Sequence, residues 1–376
     1  MESWCEALDI VEPIESVSVT TASIQIPCLL AVHAPRTVTD GWPESVHSAV
    51  GSIVHSLIEE LAALPAEREL LINSPAASQT RLQESMAKNG IDTQQLGNLW
   101  QSCLRTLRRA LEAIPHGYEA ISQECGNRSR DAHASQPYVS RSSTEGWACD
   151  VELGVRGKFD FRLVLDTEVR VDDFKTGCVI GSPEKLRKWH RQVAIYTLIS
   201  FRLEPEKRHT ARIVAADGIF EVNTSIEYLR ELEAELINQK AQWPKLPTAA
   251  EELATTCSMC RQCRARHACP VYRLTTPWIN DSNIDTIDHP IWSWDVWGTV
   301  VRTSTSGPQH AMVLMTQTGR VIVNGFDPSA DVSELCLGSR VGIFGVRQDR
   351  NYTESRPVFR AHQHGRHAKT RILLAQ

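Results

Sequence analysis

The chain has no uninterrupted apolar run near the roughly 20 residues that cross a bilayer, so a membrane-spanning helix is not expected. Its first residues, Met1-Glu2-Ser3-Trp4-Cys5-Glu6, lack the basic-then-apolar order of a secretory signal, and a cytoplasmic protein with no membrane partner is expected. No Gly-x-x-x-x-Gly-Lys-Ser/Thr loop occurs, which excludes a phosphate-cradling motor of that type within the chain. There is no overall basic excess either. The 40 lysines and arginines against 45 aspartates and glutamates give a formal net charge of −5, so any polyanion contact must come from local patches. Internal repeats and low-complexity tracts are also missing. With 376 residues, 42% of them hydrophobic, the chain is long enough for two domains.

Residues 1 to about 42 read as irregular or extended, and residues 43–125 as mostly helical, with breaks at Asn73-Ser74-Pro75 and Asn89-Gly90. A polar, serine-rich loop is expected over 127–143. Strands, a helix and further strands follow over 145–224, then a helix over 224–243. The central stretch carries the chemistry. Gly157-Lys158-Phe159-Asp160 runs through Phe161–Leu165 into Val171-Asp172-Asp173-Phe174-Lys175-Thr176-Gly177, which reads as two adjacent strands. Alternation points Asp173 and Lys175 the same way, about 7 Å apart along the backbone. Asp160 is expected to face away from Phe159 and Phe161. These could be edge-strand charges beside a turn. Yet an unpaired carboxylate in an apolar run is costly unless it meets a cation or a partner. Two acids able to share a divalent cation, beside a lysine that orients or deprotonates water, suffice for metal-assisted phosphodiester hydrolysis.

The next helix starts at Ser182-Pro183 and puts Gln192 and Tyr196 on one face. They could guide a nucleic-acid strand, or bond to each other. His55 lies among Val46, Val50, Ile53, Val54, Leu57 and Leu61, which recur at helical spacing. Four of the eleven cysteines crowd into Cys257-Ser-Met-Cys260-Arg-Gln-Cys263-Arg-Ala-Arg-His-Ala-Cys269-Pro270, a density that points to metal rather than disulfides. Local spacing alone allows a zinc site of Cys257, Cys260, Cys263 and Cys269. Arg261, Arg264, Arg266 and Arg273 around it form either a phosphate-contacting edge or simple solvated charge.

Gly-Lys-Phe-Asp160, Val-Asp-Asp173-Phe-Lys175-Thr-Gly, Gln192-x-x-x-Tyr196 and the upstream Gly51-Ser-Ile-Val-His55 together resemble the RecB-type branch of the PD-(D/E)XK nucleases, which includes AddB and the iron–sulfur exonucleases of CRISPR adaptation. The resemblance implies a restriction-endonuclease-like α/β core with helical insertions. It implies Mg²⁺ or Mn²⁺ held by Asp160, Asp173, the Phe174 carbonyl and His55, with Lys175, Gln192 and Tyr196 completing the catalytic set. It also implies a 4Fe-4S cluster on Cys260, Cys263, Cys269 and a distant Cys28, with Cys257 as the alternative fourth ligand and Zn²⁺ as the alternative metal. Cys28 departs from the family pattern, because Pro27 precedes it and Leu29-Leu30 follow.

After Thr276-Pro277 the composition turns strand-like: Trp294–Thr303, Ala311–Gln317, Arg320–Phe326, Arg340–Arg347 and Arg356–Ala361. These strands suggest a small OB-like β-barrel over 286–361, following a nuclease domain over 1–275. Trp294, Trp297, Phe326, Phe344, Tyr352 and Phe359 could stack bases, although half or more should be core. Residues 362–376 read as a basic, histidine-rich tail. The expected function is a metal-dependent deoxyribonuclease, end-directed or exonucleolytic on single strands, in DNA repair, recombination or phage defence beside a separate helicase. The alternative is a non-catalytic nucleic-acid-binding subunit of a helicase complex.

Overall fold

The structure, a computed structural model, describes residues 8–24, 28–35, 46–115, 138–139, 143–178, 182–256, 260, 263–275, 294–306, 309–316, 319–326, 337–348, 358–360 and 371–375. The chain divides into two compact units. One comprises Ile14–Gln25 and His47–Trp243; the other comprises Met1–Pro13, Ile26–Val46 and Pro244–Gln376. Among the described residues no helix is long and apolar enough to cross a membrane.

The chain opens with strands β1 (Ile10–Val11) and β2 (Val17–Ser18) and short helices α1 (Val19–Ala22) and α2 (Leu29–His33). This stretch, read from sequence as irregular or extended, gains its order from long-range pairing and from a local cap: Ser18 Oγ accepts the Thr21 N–H. Four helices follow, α3 (Val46–Ala62), α4 (Pro65–Asn73), α5 (Pro75–Lys88) and α6 (Asn98–Ala113). The breaks read from sequence at Asn73-Ser74-Pro75 and Asn89-Gly90 are boundaries here, whereas the break between Ala62 and Pro65 and the end at Ala113 are seen only in the structure. Ser74 caps α5 by accepting the Ala77 N–H, with Pro75 in the first turn. Past Asn89 the chain turns through Gly90 at φ 73°, a conformation that needs no Cβ.

Strands β3 (Tyr138–Val139), β4 (Ser143–Asp150), β5 (Val155–Val164) and β6 (Glu168–Lys175) precede α7 (Pro183–Leu203), β7 (Arg208–Ala215), β8 (Gly218–Glu221) and α8 (Ile226–Ala241). The sheet runs β3-β4-β5-β6-β7-β8, with β2 on β5. The β6–β7 and β2–β5 pairings are parallel and the others antiparallel. Successive β6 residues face opposite ways. Phe174 joins Phe161, Val214 and the apolar faces of α3 to α6 in one core. On that same face Asp172 is fully buried and held by Arg212 through Nε and Nη2 at 2.9 and 2.7 Å, with Arg170 Nε at 3.2 Å. The other face of β6 meets α7.

The first and last stretches of this unit converge on Gly154, whose φ is 70°. Its carbonyl accepts the Val17 N–H at 2.8 Å. A Cβ there would lie 2.8 Å from the Trp243 ring, and Lys240 Nζ donates to the neighbouring Val151 carbonyl.

In the second unit β1 pairs with β9 (Thr248–Ala249), bringing Ile10 opposite Ala249. Val11, Cys28, Leu30, Ala250 and Leu253 form a small core with α9 (Ala250–Leu253). After α10 (Pro270–Thr275) come β10 (Trp294–Ser306), β11 (Gln309–Thr316), β12 (Gly319–Phe326), β13 (Arg340–Gln348), β14 (Val358–Arg360) and β15 (Arg371–Ala375). They make an all-β sheet in the order β10-β11-β12-β14-β13-β15, and β10 also pairs with β13. Its core includes Val296, Val300, Leu314, Val323 and Ile343. Residues 371–375, assigned from sequence to a tail, are a strand on β13. There the apolar triplet Ile372-Leu373-Leu374 pairs with Ile343, Gly342 and Val341. The histidine-rich stretch 361–370 and Tyr352 lie outside the described residues.

Candidate active site and cysteine cluster

The β5–β6 ladder runs from Val164↔Val169 to Phe161↔Asp172 and ends there, while β6 stays paired with β7 through Lys175↔Ala215. Asp160 and Asp173 are the first residues past the last rung. In this fork the Phe174 N–H donates to Asp160 Oδ2 at 2.5 Å, so a carboxylate replaces the missing strand partner. Asp160 Oδ1 is 3.0 Å from Nδ1 of His55 on α3. The fork also parts two residues expected to share a face. Phe161 enters the core with α3 to α6, whereas Phe159 sets its ring edge against Tyr196 of α7.

Asp173 points toward α7 and lies 2.6 Å, through Oδ2, from Lys175 Nζ. Lys175 Nζ also donates to Gln192 Oε1 at 3.2 Å, and Gln192 Nε2 to Thr20 Oγ1 at 3.5 Å. The Lys175 carbonyl accepts from Thr106 Oγ1 at 2.9 Å. Thus α1, α6 and α7 all fix the lysine that β6 presents. Asp173 is only 2% exposed. Burial, opposed by Lys175 and reinforced by Asp160, pushes its carboxyl up to about 6. For Asp160 burial also works against the charge, but His55, Lys175 and the Phe174 N–H outweigh it and hold the carboxyl below its ordinary value.

Gln192 and Tyr196 do share a helix face but turn inward to separate partners. Tyr196 donates its hydroxyl hydrogen to the Lys158 carbonyl at 2.6 Å. A Cβ on Gly157 would lie 2.7 Å from that hydroxyl, so only glycine lets Tyr196 reach the strand. Gly157→Ala should therefore destabilise the protein by about 1–3 kcal/mol through overpacking and loss of this bond. An unchanged urea midpoint would contradict the latch.

Among the described residues, no group of three or more His, Cys, Asp and Glu side chains is arranged to hold a metal ion as these side chains stand. The donors at the fork nevertheless suit a hard divalent cation, being carboxylates and an imidazole. Asp173 Oδ2 accepts no hydrogen bond despite its closeness to Lys175 Nζ, which leaves a buried anionic oxygen with acceptor capacity to spare.

In the other unit Cys28, Cys260, Cys263 and Cys269 form no disulfide. Cys28 Sγ accepts the Thr255 N–H at 3.4 Å, and Cys269 Sγ accepts the Tyr272 N–H at 3.4 Å. Burial pushes the Cys263 thiol up to about 11, opposed by the Ala265 N–H and reinforced by nearby Cys28 and Cys269. Burial likewise raises Cys269, against the Tyr272 and Val271 N–H groups. Cys260 and Cys269 pack on Tyr272 and Trp297. Amide N–H groups aimed at sulfur stabilise thiolate, the form that binds metal. Cys28, Cys263 and Cys269 thus lie near enough to feel one another's charge, Cys260 shares the Tyr272 and Trp297 packing with Cys269, and Cys257 lies outside the described residues. Of the arginines here, Arg266 is buried and donates to the Cys263 carbonyl, and Arg273 donates to the His267 carbonyl. Only Arg264 is exposed, and Arg261 lies outside the described residues.

Sequence reasoning did not single out Thr20, Thr106, Lys185 or Lys188 near the fork. The lysines carry a usable signal, since Lys185, Lys188, Gln192 and Tyr196 follow one another at spacings of three and four.

A family model described as the PD-(D/E)XK nuclease superfamily matches residues 32–270, well over half of the chain. Comparisons with curated proteins and with solved structures return no match.

Proposed function

Because the chain belongs to the PD-(D/E)XK nuclease superfamily, we propose that it is a Mg²⁺- or Mn²⁺-dependent deoxyribonuclease acting on single strands or their ends. The fork that joins Asp160 to Asp173 and Lys175 carries this reading. Asp160, Asp173, the Phe174 carbonyl and His55 would hold the cation. When bound, it supplies charge neutralisation at the phosphate and lowers the pKa of water. His55 Nδ1 and the Phe174 N–H orient the Asp160 carboxylate, a supporting role that metal-binding acids commonly need. Lys175, steered by Gln192 and Asp173, orients the attacking water by hydrogen bonding from Nζ. Tyr196 holds the Lys158 carbonyl and so fixes β5 two residues from Asp160. Divalent-metal titration of cleavage, on end-labelled and circular single strands, tests the activity and separates end-directed from internal cutting. Strand binding with no cleavage in either metal would favour the accessory-subunit reading.

The cysteine cluster is read as a 4Fe-4S site, with Zn²⁺ as the alternative. The inward N–H groups at Cys28 and Cys269 support thiolate ligation by either metal. The C-terminal sheet is read as an OB-like strand-binding barrel. Its support is the series of pairings from β10 through β11, β12, β14 and β13 back to β10, with β12–β14 parallel. Trp297 and Phe326 are core there rather than stacking surfaces, and the side chains of Trp294, Phe344 and Phe359 lie outside the described residues. The exposed cations Arg302, Arg320 and Arg340 remain. Changing all three to alanine should weaken binding of a long single strand and reduce its salt slope by about 0.7 per lost phosphate contact. A strand too short to leave the fork should bind unchanged. Equal affinities of both proteins for the long strand would point to a protein partner for this region. The acting pathway is proposed as DNA repair, recombination or phage defence, with unwinding supplied by a separate helicase.

A further inference from the structure

We propose that Lys185 and Lys188, grouped with Lys175 around Trp189 at the start of α7, form a second phosphate subsite that takes the phosphate next to the one cut. This rests on the nuclease reading and extends it to a named stretch of substrate. The cations are held close together by the fold. Lys175 Nζ lies 5.9 Å from the Trp189 ring centre and Lys185 Nζ 4.9 Å from it. The strand end approaches too: a Cβ on Gly177 would lie 2.8 Å from Lys185 Nζ. Trp189 is 9% exposed, so Lys175 and the solvent-exposed Lys185 meet at a largely covered indole.

Like charges do not collect in this way without compensation. Lys175 has Asp173, but among the described residues neither Lys185 nor Lys188 forms an ion pair, although Glu184 is four residues before Lys188 on the same helix. Lys188 is half-buried, and burial, followed by repulsion from Lys175, lowers its pKa. An ammonium in that position lacks an anion. The missing partner has to be reachable from outside, carry negative charge, and lie beside Lys175. A nucleic-acid phosphate meets all three conditions. The α7 amino terminus adds to the field, since Ser182 makes no side-chain cap on its first N–H groups. Beyond the lysines, Gln192 and then Tyr196 continue the same stripe along α7. The aromatic ring does not stack a base here. It supports lysine stems and keeps water from one side of the charges.

The phosphate could be an internal diester or a terminal monoester, which share this chemistry. The test uses the full-length protein and a fluorescent single-stranded oligodeoxynucleotide of about ten nucleotides, in EDTA, where metal-dependent cutting cannot occur. Versions with a 5′-phosphate, a 3′-phosphate or neither are compared by anisotropy. Lys185→Gln with Lys188→Gln should weaken binding about tenfold, the scale of a lost charge-assisted contact. Loss of both contacts should also make the logarithmic salt slope shallower by about 1.4. Lys188→Arg alone, which keeps the charge, should bind nearly as tightly as the wild type. If one phosphorylated end strengthens wild-type binding and the double variant loses that gain, the subsite holds a terminal phosphate. If all three oligonucleotides weaken alike, it holds an internal one. Unchanged affinity and salt slope in the double variant overturn the subsite. A wild-type protein that cuts nothing in Mg²⁺ or Mn²⁺, yet still shows the lysine-dependent binding, overturns the nuclease reading and leaves the subsite standing.

Discussion

Asp173→Ala and Lys175→Ala should each lower Mg²⁺-supported strand cleavage by about a thousandfold, the scale on which charge-stabilising groups contribute at such centres. The two substitutions act differently. Asp173→Ala removes a buried carboxylate and frees Lys175, so strand binding in EDTA should hold or tighten. Lys175→Ala takes away the cation facing Asp173 and one positive charge beside the lysine pair, and binding should weaken with it. Circular dichroism must accompany the second variant, because removing one partner of a buried pair can cost about 3–5 kcal/mol of stability. Initial rates on a labelled single strand are the readout. Wild-type rates in Asp173→Ala would remove the fork from the reaction altogether. A neighbouring control is built into the sequence: Asp172→Ala breaks the Arg212 and Arg170 contacts on the other face, so its damage should show as instability rather than as loss of turnover in the surviving fold.

The second large effect concerns the cysteines. Protein purified without oxygen should be brown, absorb broadly near ~400 nm and carry about four irons per chain. One zinc per chain and no iron would decide for the alternative metal. In either case Cys269→Ala should unfold its unit rather than slow the enzyme, since a structural site contributes on the order of 10 kcal/mol to folding. The damage should spread into the C-terminal sheet. Trp297 of β10 packs against Tyr272, Cys260 and Cys269, and its ring lies where a Cβ on Gly342 of β13 would approach to 2.7 Å. Limited proteolysis before and after chelation measures this. A protein that keeps its fold and protease resistance with no bound metal would refute the role.

What could be read in advance depended on whether the cause was local. The breaks at Ser74-Pro75 and Asn89-Gly90 are cap and turn chemistry, and both helices end there. Strand alternation placed Asp173 beside Lys175, a pairing set by two residues of one strand. Alternation could not show what pairs with Asp172 on the opposite face, because its partner Arg212 lies on another strand. It also misplaced Phe159 relative to Phe161, since the end of the β5–β6 ladder reorients the strand between them. Thr20 and Thr106 were invisible because they come from distant helices and carry no motif. β15 was hidden by its basic, histidine-rich approach, although Ile372-Leu373-Leu374 had the composition of a strand.

The pairing of Ile10 with Ala249 sets an order of assembly. In an unfolded chain, closing a loop of that span costs about 5 kcal/mol in entropy, and such remote contacts form slowly. Convergence of Val17 and Trp243 on Gly154 changes the problem. Once Ile14–Gln25 and His47–Trp243 have folded, the stretches that lead back to Ile10 and on to Ala249 leave from one neighbourhood, and the effective loop between them shrinks to a few residues on either side. The β1–β9 pairing should then close late and quickly. During synthesis Cys28 emerges long before Cys260, Cys263 and Cys269, so the proposed four-cysteine site could form only after the last of them.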